Sequence, residues 1–266
     1  MDRMLTVTLR SLLTLCLLLA ACPERTLPER GLMLVYKKSN SESVRSVVDR
    51  RLAQLKLQAN LQEDDSRLTV RVPEGADVTR VKALLAETGQ LEFCKADAAV
   101  AEHWCDSTWP AGLEVEHTGG QCSLRASSQK ELETALADAG VKLAFATTGP
   151  RAEVFPVAGC LSLRITSAEP KESPMRSLLL EFDRASGRDF AALTTALVGK
   201  KLLIRLNGVV VSSPVVNEPI TGGKAMLTTA AQSRAELEVL AASLVGGPLP
   251  GLVLEKEGTW GPPSFK

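Results

Sequence analysis

The sequence predicts an α+β fold of two ferredoxin-like units, each β-α-β-β-α-β with two helices on one face of an antiparallel sheet. Three observations predict it. Short strand-like runs alternate with amphipathic helical stretches. The order of elements near the amino terminus returns from residue 177 onward. Turn and cap signals fall between the runs rather than inside them. Of 266 residues, 45% are apolar and only 4% aromatic, so the cores must be built mostly from Leu, Val and Ala. The 31 basic and 31 acidic residues balance, which excludes long disorder and gives no electrostatic case for nucleic acid as partner.

Residues 1–21 read as a lipoprotein signal peptide. Arg3 and Arg10 precede the apolar stretch from Ser11 to Leu19, and Leu19-Ala20-Ala21-Cys22 resembles the bacterial lipobox. Acylation of Cys22 would make the lipid bilayer its first partner, each buried CH₂ contributing about 0.8 kcal/mol. The expected location is the bacterial cell envelope facing the periplasm, with the choice of outer or inner membrane left open. Residues 22–31 are polar and Pro-containing, and read as a tether.

Residues 32–95 form the first unit. A strand at 32–36 precedes Ser39 and Glu42, whose spacing is that of a capping box. The helix that follows places Val44, Val47, Val48, Leu52 and Leu55 inward, with Arg50 and Arg51 on its solvated face. Strands at 57–62 and 67–72 flank the turn Glu63-Asp64-Asp65-Ser66. Asp77 caps a second helix, Gly89 closes it, and a strand at 90–94 ends the unit.

Residues 96–150 read as an irregular connector followed by a small α/β segment. It has a strand at 122–126, a helix opened by Ser128 and Glu131 and ended by Gly140, and a strand at 142–147. Trp104 and Trp109 read as core of this insert. Residues 151–257 form the second unit. Strands at 161–166 and 177–182 bracket a loop, EPKESP, and a helix at 187–198 is capped by Ser186. Strands at 201–206 and 209–213 are joined by Asn207-Gly208, a hairpin signal because both residues tolerate positive φ. Gly222 and Gly223 read as a structural turn before a strand at 224–228. The capping box Ser233 and Glu236 opens the last helix, with Leu237, Leu240, Ala241 and Leu244 on one stripe, and a strand at 252–257 completes the unit. Residues 258–266 are a tail.

After removal of the signal and acylation of Cys22, four cysteines remain: Cys94, Cys105, Cys122 and Cys160. In an oxidising compartment at least one disulfide is expected, and all three pairings stay open. Cys94, His103, Cys105, His117 and Cys122 form the one cluster with coordination chemistry. Their spacings match no zinc-finger pattern, so no metal and no other cofactor is expected, and free buried thiols are the remaining option.

Several motifs in order resemble one family. The segment 48–95, with Thr88 and Leu91-Glu92-Phe93, resembles the opening of the first periplasmic domain of SecD. The later part resembles the head of the same region: Phe190, Leu193-Thr194, Gly199-Lys200, Asn207-Gly208 with Ser213-Pro214, and Ile220-Thr221-Gly222-Gly223. Gly247-Pro248-Leu249-Pro250 and the stretch Glu255 to Pro262 match its closing turns. The resemblance spans roughly 44–262 and is thinnest over 96–150. It departs in having a lipobox signal where SecD has a membrane helix, and in stopping where SecD enters its membrane bundle. The resemblance thus implies an ectodomain without motor activity.

No catalytic residue is assigned: G-x-S-x-G and H-E-x-x-H are absent, and Gly199-Lys200-Lys201 lacks a phosphate loop's first glycine. The resemblance implies binding of exported or unfolded polypeptide, or of export machinery, through open sheet edges and a cleft between a base and a head joined by few segments. The alternatives are a structural envelope lipoprotein that reuses the fold, and a zinc hydrolase built on the Cys/His cluster.

Overall fold

Strand β1 (Gly31–Lys38) begins a sheet whose last member comes from the far end of the chain. The computed structural model describes residues 30–118, 121–138, 152–173, 175–229 and 231–261. The signal, Cys22 and nearly all of the tether lie outside these residues, as do Gly140, the strand expected at 142–147 and the tail past Gly261. After β1 come α1 (Arg45–Gln54), β2 (Asn60–Glu63), β3 (Arg67–Pro73), α2 (Val78–Ala86) and β4 (Leu91–Ala96). The predicted order β-α-β-β-α-β is therefore present.

Helix α1 does not start at the Ser39/Glu42 box. Its cap residue is Val44, which has no side chain able to accept, and the missing acceptor arrives from β2. Glu63 accepts from Val44 N at 2.8 Å, Arg45 N at 3.2 Å and Ser43 Oγ at 2.9 Å, and pairs with Lys38 Nζ at 2.8 Å. Burial alone would raise this carboxyl. The Lys38 ammonium and these donors outweigh burial and hold it down at about 2. Asp77 caps α2 as expected, accepting from Arg80 N.

The stretch expected to be irregular is ordered. It contains α3 (Ala98–Asp106) and β5 (Glu114–Thr118); the expected strand and helix follow as β6 (Gln121–Ala126) and α4 (Gln129–Asp138), and then β7 (Ala152–Val154). The three strands make their own sheet, β5-β6-β7, under a core of Trp104, Leu124, Leu132, Leu136 and Val154. Trp104 is buried, stacks edge-on against Trp109 at 5.8 Å between centroids, and accepts from its indole N–H.

Then follow β8 (Val157–Ser162), β9 (Ile165–Lys171), β10 (Ser177–Phe182), α5 (Arg184–Ala196), β11 (Leu202–Leu206), β12 (Val209–Ser212), β13 (Lys224–Thr228), α6 (Arg234–Gly246) and β14 (Leu252–Trp260). Part of the EPKESP loop belongs to β9. Pro170 is tolerated there because β9 is an edge strand and needs no outward donor. The cap of α5 is Asp183 rather than Ser186, whose hydroxyl instead accepts from Arg164 N at 2.9 Å.

All strand ladders are antiparallel, in sheets ordered β14-β1-β3-β2, β13-β10-β9, β12-β11-β4-β8 and β5-β6-β7. The α+β class with antiparallel sheets is as expected, but strand membership is not: β14 joins the first unit's sheet, β4 leaves it, and β10 and β13 lie in a different sheet from β11 and β12. The strand assigned to the end of the second unit pairs with β1 from Gly31↔Trp260 to Lys38↔Leu252. It thereby takes the place that β4 would hold in a closed ferredoxin-like unit. Burial explains the exchange. Leu91, Glu92, Phe93 and Cys94 are buried in succession, so β4 needs cover on both faces and lies between β11 and β8. Strand β14 carries Glu255, Lys256 and Glu257 exposed, which suits a sheet edge.

Helix α6 was expected to present one stripe. It buries two: Val239 and Ala242 enter the core of the β1 sheet, while Leu237, Ala241 and Leu244 enter the core that holds Phe93, Phe182 and Phe190. The two cores therefore share a helix.

Candidate functional site

The shared helix forms one wall of a cleft of about 840 Å³. Helix α2 faces it with Thr79, Arg80 and Ala83, and the β11–β12 hairpin and the end of β13 close the other side. The floor is apolar, made by Leu206, Val211, Leu227, Val239 and Leu240. Asp77, Arg80, Glu87 and Glu236 stand at the rim. An apolar floor with polar groups at its margin suits a partner that buries side chains while keeping its main chain hydrated or paired.

Two sheet edges border this cleft. Strands β12 and β13 are terminal members of their sheets. Phe182 N donates to Gly223 O and Thr229 N to Arg176 O, which fixes the parity of the β10–β13 ladder. By that parity the main-chain groups of Lys224, Met226 and Thr228 turn away from β10. Met226 is exposed at 55% on this edge. Thr228 and Leu227 line the cleft itself, as do Val211 and Ser212 from β12.

Of the residues expected in structural turns, Asn207 lines the cleft. Asn207 and Gly208 adopt φ of 51° and 86°, as a tight hairpin demands. The Asn207 side chain also ties the hairpin to the segment after α2. Its Oδ1 accepts from Gln90 N at 3.0 Å and its Nδ2 donates to Glu87 Oε2 at 3.0 Å. Gly223 has φ of 66°, and a Cβ on Gly187 would sit 3.3 Å from its Cα, so β13 starts hard against the first turn of α5.

Behind the cleft lies the residue that sequence reasoning misplaced. Arg51 is wholly buried, not solvated. Its guanidinium donates to Leu84 O at 3.0 Å, Thr88 O at 2.7 Å, Gly247 O at 2.7 Å and also to Glu87 O. Those carbonyls are the loose ends of α2 and α6, where helix dipoles favour a cation. Burial pulls the Arg51 pKa down to about 10, partly opposed by the nearby Glu87 carboxylate. Gly89 and Gly246 make room: a Cβ on either would fall within 2.5 Å of an Arg51 side-chain atom. Arg50 donates to Gly246 O at 2.9 Å, so the pair clamps α1 to the C-terminal end of α6.

The cysteine cluster does not assemble as one site. Cys94 bonds to Cys160, directly opposite on β8, and Cys105 bonds to Cys122. The structure thus selects one of the three pairings. Only Cys105, His117 and Cys122 come together among the described residues, apart from Cys94 and His103.

Residues 162–251 match the family described as the SecDF P1 head subdomain. The protein translocase subunit SecD of Syntrophobacter fumaroxidans is 29% identical over 75% of this chain and 35% of its own length. That of Acidaminococcus fermentans is 38% identical over 33% of this chain and 21% of its own length. The chain thus spans about a third or less of these relatives. In fold it is similar to SecDF in its super-membrane-facing form, with a TM-score of 0.58 and 20% identity over 86% of this chain and 30% of that one. A structure titled as a membrane component SecDF that enhances protein export gives 0.56 and 19% identity, covering 84% of this chain and 98% of that one. The chain is thus similar in sequence to SecD and in fold to SecDF, with the head-subdomain family matched over residues 162–251.

Proposed function

We propose that the chain is an export-related binding module of the bacterial envelope, anchored through acylated Cys22, which holds extended polypeptide in the cleft between α2, α6 and the β11–β12 hairpin. The observation that carries this reading is the pairing of an apolar floor with two unpaired sheet edges, β12 and β13, at one cleft. An extended chain added to such an edge gains main-chain hydrogen bonds whatever its sequence, and the floor accepts alternate side chains. The relatives are named as translocase subunits, which favours a partner among exported chains or export machinery. The lipobox favours attachment to the membrane, since no helix among the described residues is long and apolar enough to cross one.

The test is titration of the protein with an unfolded secretory polypeptide and with its folded form. Binding on the order of micromolar to millimolar, selective for the unfolded form and little affected by salt, is expected. Ala83 and Ala235 line the cleft and are exposed on their helices. Ala83→Trp or Ala235→Trp should fill it and weaken binding without unfolding the protein. Equal affinity for the folded form would defeat the reading and leave a lipoprotein that uses this fold for another partner.

A further inference from the structure

Away from the cleft, three side chains with metal-binding chemistry converge on the inserted sheet. His117 on β5 and Cys122 on β6 stand opposite each other across the ladder. Nδ1 of His117 lies 3.1 Å from Sγ of Cys122. Cys105 reaches the same point from the last turn of α3 and is bonded to Cys122. Two sulfurs and an imidazole nitrogen therefore lie within 4.8 Å of one another. Cys122 is buried beside Trp104 and Leu124, whereas His117 is exposed, so the group has a dry inner wall and an open outer side. The Cys94–Cys160 disulfide has no such third ligand among the described residues.

We propose that the Cys105–Cys122 disulfide is the closed state of a redox-gated cation site, whose dithiol form binds a thiophilic divalent ion such as Zn²⁺ through both sulfurs and His117 Nδ1. The geometry fits without moving the backbone. A tetrahedral zinc takes sulfur at about 2.3 Å and nitrogen at about 2.0 Å, which sets two thiolates about 3.8 Å apart and each about 3.5 Å from the nitrogen. The Cα atoms are 5.5 Å apart, so rotation about the two Cα–Cβ bonds opens the sulfurs to that spacing. His117 already stands within a few tenths of an ångström of its required distance from Cys122. The fourth position faces solvent and takes water. The electron balance is simple. A dithiol donor gives two electrons and two protons to the S–S bond and is itself oxidised to a disulfide. Both cysteines become thiols, and binding of the cation releases their two protons. A small-molecule disulfide reverses the process: it takes two electrons from the thiolates and two protons from water, leaves as two thiols, and the re-formed S–S bond expels the ion.

The experiment uses the full chain, reduced under argon and freed of reductant, and then titrated with Co²⁺ as a spectroscopic probe and with Zn²⁺ as competitor. One Co²⁺ per chain is expected, with thiolate charge-transfer and tetrahedral bands, displaced by one equivalent of Zn²⁺. The air-oxidised chain should show none. His117→Ala changes an exposed residue and should weaken binding by more than about a hundredfold, beyond the roughly 10–100-fold that loss of an outer partner costs. The double variant Cys94→Ser/Cys160→Ser removes the other pair of thiols and should bind as the wild type does. No bound cobalt in the reduced chain, unchanged affinity in His117→Ala, or loss of binding in the Cys94/Cys160 variant would each overturn the proposal.

Discussion

Arg51 and Glu63 do at single positions what helix-local residues usually do. Arg51 satisfies the carbonyl ends of two helices, and Glu63 the amide start of a third. Lysine offers a point charge on a flexible stem and cannot span those carbonyls. Arg51→Lys should therefore leave at least two buried acceptors unpaired, each costing about 1–3 kcal/mol, and urea titration should show a loss of at least about 2 kcal/mol. Glu63 makes its contribution through charge. Its folded pKa, at about 2, lies below the ordinary 4.5, so its stabilisation is present above about 4.5 and is lost as pH falls toward 2. Glu63→Gln should lower the melting temperature at neutral pH and flatten the acid limb between those values. Neither role was legible in the sequence. Glu63 acts 19 residues from the amide it caps, and Arg51 reaches partners 33 and 196 residues away, while capping signals are read three residues apart.

At the scale of elements, what was legible was local. Asn207-Gly208 carried its own turn, and Ser233 with Glu236 carried its own cap, because each signal needs only neighbouring residues. The insert was obscure for the opposite reason. Helix α3 and strand β5 are short and weakly patterned, and they are ordered by burying Trp104 against β6 rather than by propensity. The cleft itself was foreseen only as lying between base and head. Its floor gathers Leu206, Leu227 and Val239, whose proximity no periodicity records. The disulfides show the same division, since the count suggested bridges and the fold chose them. Cys94–Cys160 closes a separation of 66 residues and Cys105–Cys122 one of 17. In the loop-entropy account the first contributes about 4 kcal/mol and the second about 3. Guanidinium unfolding of Cys94→Ala/Cys160→Ala should therefore show the larger loss of the two double variants.

For the whole molecule, the exchange of β4 for β14 matters most. The base sheet contains residues from both ends of the described chain, and the insert and head lie between them in sequence. Deleting 252–261 should therefore open the base at β1 and leave the head largely intact. Hydrogen exchange should show it, with protection lost across β1 and kept across β10. Loss confined to the head would contradict the assignment of β14.

Timing follows from that closure. A chain that emerges amino terminus first delivers β1, β2 and β3 long before their fourth partner exists. From Gly31 to Trp260 the pairing spans nearly the entire described sequence, the kind of contact that forms slowly because its loop must be closed first. Until then β1 offers a bare edge to any passing strand, a liability that mature proteins cover. The first strand made should thus be the last to be sealed. In refolding experiments, the β1 amides that face β14 should be the last to acquire protection.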